Sequence, residues 1–453
     1  MPKNNPYVSQ RPAPEKRVFR SEAVERQITE IKSAIADPEL AWLFENCYPN
    51  TLDTTVDFGM KDGKPDAFVI TGDIDAMWLR DSSAQVQAYL PLCAQDPHLV
   101  QMVAGLIHRQ AACIRLDPYA NAFFKDGNRI SEWHDDRTLM KPGVHERKWE
   151  LDSLCYCIRL AHQYWKITGD VAVFDDDWKK AMHLAVETML DQQRKTSQGN
   201  YSFMRIAGEA IDTLVNDGFG PAFRPTGMIC SAFRNSDDAT TYLFNIPENL
   251  FAVVGLRQLA EILDAIKDAS GLSATCSSLA SEVEDAVFAH GIVDSPQGGG
   301  KLYAYECDGM GHHLLIDDPG LPGLVSIPYL GYKSIDDPVY QNSRKLALSS
   351  DNPLFHRGCA AEGCASPHVS GPYIWPMGII DRALTSTDDR EIKLCLDMLK
   401  RTHAGTGFMH ESFHKDNPKD FTRKWFAWVN TLFGELIVKI ANERPHLLAG
   451  SAA

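Results

Sequence analysis

From Ser21 onward the chain alternates between stretches of helical apolar periodicity and long loops rich in glycine, proline, tryptophan and acids. The periodic stretches predict helices over 21–47, 82–93, 98–115, 150–168, 172–194, 237–243, 248–267, 276–290, 335–350, 372–386, 388–403 and 424–441. The loops between them cover 48–81, 116–149, 196–235, 292–334, 351–371 and 404–423. Loops above about 15 residues are uncommon in a compact domain unless they carry function. Such loops alternating with helical stretches predict an all-α chain: a closed ring of helix hairpins, an (α/α)6 barrel, with the loops gathered on one face. A helical solenoid is the competing architecture, yet no self-similarity appears at the roughly 34–47-residue periods of helical repeats. Ser82 followed by Gln85 reads as a capping box, and Ser21 followed by Val24 as its cap half alone. Asn235-Ser236-Asp237-Asp238 reads as the acidic first turn of the 237–243 helix. The first twenty residues are polar and hold Pro2, Pro6, Pro12 and Pro14. They read as an arm or surface strap ahead of a single domain over 21–453.

With 45 Lys and Arg against 60 Asp and Glu, the net charge is −15. That balance disfavours nucleic acid and anionic membrane as partners, since both bind through released counterions. A neutral or cationic ligand suits it better. No run of eighteen apolar residues is present to span a bilayer, and the opening MPKNNPYVSQRPAPEKRVF lacks the apolar stretch of a signal peptide. The eleven cysteines, several in apolar helical patterns such as Cys155 and Cys157, read as reduced core thiols. A cytoplasmic home is the resulting expectation.

Several chemistries fail on their motifs. Gly298-Gly299-Gly300-Lys301 resembles a phosphate loop, but Ser295 and Leu302 break the pattern. Neither a G-x-S-x-G elbow nor a G-x-G-x-x-G turn occurs. His410-Glu411-Ser412-Phe413-His414 matches H-E-x-x-H, with Glu435 as a possible third zinc ligand. A zinc peptidase needs those histidines on one helix face. Gly405 and Gly407 before the motif and Asn417-Pro418 after it leave no room for such a helix.

The loops concentrate acids and aromatics instead. In 71–81, Arg80 beside Asp81 places a donor fork next to an acceptor pair, which vicinal sugar hydroxyls require. Trp78 adds an apolar plate, and Asp75 lies in the same segment. The competing reading is a helix cap with an ordinary ion pair. Trp149 and Glu150 fall at a helix start and loop mouth, where first-turn acids are also common. Asp237 and Asp238 are adjacent carboxylates, so one is expected to hold its proton longer, unless both merely stabilise a helix start. Glu362, His368 and Trp375 share a glycine-rich stretch, and Glu411 sits in another with His410. Glu411 suits a general base holding a water; a surface loop acid is the alternative. Trp425, Trp428 and Asn430 follow, with core packing as the competing reading for both tryptophans. Aromatic plates with carboxylates and few bases compose a carbohydrate site. Glycoside cleavage uses two carboxyl groups, and a separation of ~6.5–9.5 Å with water between them gives inversion.

At these residues the chain resembles a known family. TGDIDAMWLRDSSAQV (71–86), KWELDSL (148–154), SDDATTY (236–242), FNIPENLFAV (244–253), DDPGLPGLVSIPYLGY (317–332), AAEGCASPH (360–368), YIWPMGII (373–380), GTGFMHESFH (405–414) and WFAWVNTLFGELI (425–437) look like glycoside hydrolase family 125. The likeness runs in order from about residue 20 to 445. It implies an (α/α)6 barrel and an exo-acting, inverting α-1,6-mannosidase that uses no metal and no cofactor and takes α-1,6-linked mannosides. It also implies a general acid at Asp237 or Asp238, with Asp238 favoured, and a general base at Glu411. Arg80 and Asp81 match the positions that grip the terminal mannose, and Glu150, Glu362, Trp375 and His410 match other lining motifs. One departure is Asn235, where proline is expected. A related barrel enzyme acting on another sugar, and a sugar-binding module without turnover, remain the alternatives.

Overall fold

A computed structural model describes residues 7–206, 208–296 and 298–449. Pro2 and Pro6 of the proposed arm lie outside these residues. Within them, residues 7–20 run against the body of the protein. The Trp42 indole donates to the Val8 carbonyl at 2.6 Å, and Arg11 Nε donates to Asp53 at 2.7 Å.

Helices dominate, but the chain is not all-α: among the described residues, short antiparallel strands form six small sheets. The reason is local. A long loop that is partly buried must satisfy its backbone donors and acceptors, and pairing with a neighbouring loop does so. Met77–Trp78 pairs with Ala122–Phe123, and Tyr373–Ile374 pairs with Ser412–His414. Such pairs sit directly before helix starts and fix where the site side chains begin.

The helix boundaries correct several expectations. The 21–47 stretch is two helices, Glu22–Ala34 and Pro38–Cys47, because Asp37 caps a new start ahead of Pro38. Ser82 is not a cap. Pairing of 77–78 starts that helix at Leu79, and the Ser82 hydroxyl bonds back to the Leu79 carbonyl. No helix forms over 237–243; that stretch is an irregular turn.

Five helices pack in succession: Pro376–Leu384 on Ala427–Glu443, then Leu79–Gln87, Leu151–Thr168 and Ile246–Ala265. Pro97–Leu116, Asp176–Gln192, Leu272–His290 and Asp389–Thr402 pack outside them. Ile246–Ala265 and Ala427–Glu443 are apolar on most of their surface, as helices enclosed by others tend to be, whereas Leu79–Gln87 buries Arg80, Asp81, Ser82, Ser83 and Gln85. Contact is close enough that a Cβ on Gly434 would meet the Tyr48 backbone at 2.8 Å. The turn-rich segment 317–332 is bonded to two helices of the series. Tyr156 and Arg159 of Leu151–Thr168 donate to its Leu321 and Tyr329 carbonyls, and its Tyr329 hydroxyl donates to Glu435 of Ala427–Glu443.

Candidate active site

The starts of three of these inner helices converge on one cavity of about 410 Å³, within the range of small-ligand sites. Trp78, Arg80 and Asp81 come from the start of Leu79–Gln87; Trp375 and Met377 flank the start of Pro376–Leu384; Phe426 and Trp428 flank that of Ala427–Glu443. Helix starts carry partial positive charge and unpaired N–H groups, which favours acids there.

Arg80 is the centre of the floor. Its Nη1 donates to Glu150 at 2.7 Å and approaches Asp152 at 3.4 Å; its Nη2 donates to Asp237 at 3.0 Å; its Nε lies 3.5 Å from Asp81. Four acids thus share one buried guanidinium. Burial pushes Asp81 and Asp152 up to about 6, against the pull of Arg80. Burial raises Glu150 well above the usual carboxylate range. Burial would raise Asp237 too, but Arg80, a hydrogen bond from Glu150, and the charges of Lys148 and His368 hold it well below that range.

A turn separates Asp237 from its neighbour. Asp237 has φ +65°, a left-handed conformation uncommon for a residue with a Cβ. Its N–H donates to the Arg234 carbonyl, and the Arg234 N–H donates to the Asp238 carbonyl. Consecutive side chains therefore diverge. Asp237 faces the cavity, while Asp238 is buried and accepts from His368 Nδ1 at 2.9 Å. Asn235 takes over the role expected of proline by tying the turn down: its amide donates to the Pro322 carbonyl at 2.5 Å.

Glu411 reaches the same cavity from another loop. It accepts from Arg423 Nη1 at 3.0 Å and from the Thr422 hydroxyl at 3.1 Å. His368 also lines the cavity. Burial would lower its pKa, but Asp238, Asp237 and Glu411 raise it to about 9, so it is a cation at neutral pH.

Of the residues expected from sequence to be catalytic or substrate-binding, seven line this cavity: Trp78, Arg80, Asp81, Asp237, His368, Trp375 and Glu411; Trp428, for which core packing was the competing reading, lines it as well. Six of the expected residues do not. Asp238 is turned away, as described. Glu150 lies beneath Arg80, fully buried. Trp149 is core, its indole donating to the Cys230 carbonyl. Asp75 is exposed and paired with Arg129. Glu362 is engaged by Arg357 and Arg382 elsewhere. His410 stacks on Phe421 at 3.8 Å with Nδ1 against the Arg423 and Lys424 carbonyls, so it braces the segment that carries Arg423. The H-E-x-x-H segment is no zinc helix: Ser412–His414 is a strand, and Glu435 is held by Tyr329.

Sequence reading missed Arg423, Asn121, Lys148, Asp318 and the mouth residues Trp133, Arg205 and Ile74. Arg423 is set by a positive φ of 44° that no motif announces. Trp133 carried a usable signal, an aromatic within a long acidic loop.

The family model of the metal-independent α-mannosidases, glycoside hydrolase family 125, matches residues 37–438. The meiotically up-regulated gene 157 protein of Schizosaccharomyces pombe is 41% identical over 462 residues, covering 98% of this chain and 90% of that protein. A Streptococcus pneumoniae metal-independent α-mannosidase, solved in a non-productive complex with α-1,6-mannobiose, is 42% identical with a TM-score of 0.90, covering 94% of this chain and all of that one. A bacterial glucoamylase bound to acarbose, at 13% identity and a TM-score of 0.56, covers 93% of this chain and 59% of its own, and shares the fold alone.

Proposed function

The chain belongs to glycoside hydrolase family 125, the metal-independent α-mannosidases, and on that premise we propose that it releases terminal mannose from α-1,6-linked mannosides with inversion. The observation that carries the proposal is the pairing of Asp237 and Glu411 on one cavity, each delivered by a different loop. Asp237 gives a proton to the glycosidic oxygen as the C–O bond breaks and its electron pair goes to that oxygen. Glu411, an acceptor only, takes a proton from the water that attacks the opposite face. Arg423 and Thr422 hold the base in one orientation. Arg80 and Asp81 grip hydroxyls of the terminal sugar, and the surrounding acids stabilise positive charge growing on the ring.

We assign the acid to Asp237 rather than Asp238, because Asp238 does not face the cavity and its Oδ1 is spent on His368. We read the architecture as an (α/α)6 ring in which segment 317–332 stands where a sixth inner helix would close the circle. The reading of a cytoplasmic enzyme stays a proposal; no helix among the described residues is long and apolar enough to cross a membrane.

Proton NMR of α-1,6-mannobiose hydrolysis tests substrate, bond and stereochemistry together. β-Mannose is expected as the first product. α-Mannose first would exclude inversion, and no hydrolysis would remove the substrate assignment.

A further inference from the structure

The acid presents a difficulty. A general acid must carry a proton, yet Asp237 lies against Arg80, Lys148 and His368, all cations. The geometry around it supplies an answer. The two Nη atoms of Arg80 divide between Glu150 Oε2 at 2.7 Å and Asp237 Oδ1 at 3.0 Å. The Asn121 amide nitrogen faces Glu146 at 3.0 Å, Glu150 at 3.2 Å and Asp237 at 3.5 Å. That nitrogen has two hydrogens for three carboxyl groups. Arg80 likewise offers one positive charge to Asp81, Glu150, Asp152 and Asp237. Lys148 is shared with Glu146 and Asp212, and His368 with Asp238, so four ionised carboxylates on Arg80 would leave uncompensated charge in a low-dielectric interior, and protons must be held there. Asp152 is buried at the same helix start and does not reach Asp237, and Glu248 lies beyond it. Glu150 is the member that shares both of Asp237's partners.

We infer that Glu150, which does not line the cavity, stores the proton that Asp237 delivers, the two carboxyl groups acting as one unit on the Arg80 fork. This rests on the reading of Asp237 as the acid. In the resting site the Glu150 O–H donates to the Asp237 carboxylate. The proton crosses to Asp237, leaving Glu150 ionised against Arg80. Asp237 then passes it to the glycosidic oxygen, and both carboxyl groups end ionised. Glu411 has meanwhile gained one proton from the attacking water. Its release to solvent and the uptake of one proton by the pair restore the starting state. Glu150 is thus a positioning residue, and the pair titrates with values belonging to both groups.

The test compares kcat against pH for the wild type and Glu150→Gln on two substrates. One is α-1,6-mannobiose; the other is 2,4-dinitrophenyl α-mannoside, whose leaving group needs no proton. In Glu150→Gln a lone Asp237 faces the cations. On mannobiose the alkaline limb is then expected to move to lower pH by about one unit or more, with about tenfold loss at neutral pH. The activated substrate should lose less than about threefold. Glu150→Asp, which restores a titrating group, should return the limb part of the way. Superimposable profiles, or an equal loss on both substrates at every pH, would overturn the inference. Should Glu150→Gln give no cooperative melt, Glu150→Asp decides alone: a displaced limb supports the storage role and an undisplaced one ends it. Asp237→Asn separates the two claims, because normal mannobiose turnover there would remove the acid assignment itself, whatever Glu150 does.

Discussion

The floor and the mouth of the cavity are built on opposite plans. At the floor, Arg80, Asp81 and Asp237 are locked to one another and to Glu150 and Asp152 beneath, and of these Asp237 alone is more than marginally exposed, with 25% of its side chain open to the cavity. At the mouth, Trp133 and Ile74 keep 38% and 39% of their surface exposed, and Arg205 lies over the Trp133 ring at 3.9 Å. The floor uses charge held by helix starts, where position is fixed. The mouth uses an aromatic face on a loop, which tolerates different neighbours. One end is suited to a single sugar in a single orientation, the other to a leaving group that varies.

This contrast predicts its largest effect at the base. Glu411→Gln keeps the acceptor contacts to Arg423 and Thr422 but cannot take a proton. Turnover of mannobiose should fall by about 10²–10⁴-fold while mannose still binds, as steady-state rates and calorimetry would show. Near-normal turnover would remove Glu411 from the chemistry. Arg80→Met attacks the floor's structure. It leaves four buried acids without their cation, so stability should drop by about 3–5 kcal/mol in chemical denaturation, with activity lost. A mild effect would mean that the acids are already neutral.

A smaller effect follows from Asp81. Its folded pKa of about 6 lies above its unfolded value of about 3.9. A carboxyl raised in this way binds its proton more tightly when folded. Its contribution to stability is therefore full below the unfolded value and is lost as pH rises through about 6. Thermal melts of the wild type and Asp81→Asn should diverge accordingly: the wild type loses stability between pH 4 and 6 that the variant does not. Parallel curves would show that Asp81 ionises without penalty.

How much of this was legible in the sequence divides along the same line. Arg80, Asp81 and Trp375 were readable because they sit at helix starts, where periodicity begins and acids are favoured. Glu411 was readable as an acid in glycine-flanked, aromatic company. Asp238 was favoured over Asp237 on the resemblance alone, and the helix expected over 237–243 gave no sign that the two carboxylates differ in exposure. A helix turns consecutive residues by a fixed angle, whereas the left-handed Asp237 sends the second carboxylate inward to His368. Glu150 was recognised, but as a lining residue. Nothing in its local sequence reveals that Arg80, seventy residues earlier, covers it. The short sheets were missed for a similar reason: two-residue strands have no periodicity to detect.

The mouth should respond more gently. Trp133→Ala removes the exposed face but no buried charge. KM for mannobiose should rise about fivefold to tenfold, the order of one lost apolar contact. Hydrolysis of α-mannosyl fluoride, whose leaving group is a single atom, should change by less than about twofold. Equal losses on both would place Trp133 against the terminal sugar instead and collapse the division between the two ends.

The smallest effect belongs to Asp75, which shares a segment with Arg80 yet stands outside the cavity. Its carboxylate meets Arg129 at 2.7 Å, with both side chains largely in water. An exposed pair of that kind gains little, since solvent screens the attraction and two long side chains lose freedom. Asp75→Asn should therefore leave the melting transition within about 0.5 kcal/mol of wild type and mannobiose kinetics within error. A clear rise in KM would bring Asp75 into contact with a bound oligosaccharide beyond the mouth, and the boundary between mouth and surface would have to move outward to include it.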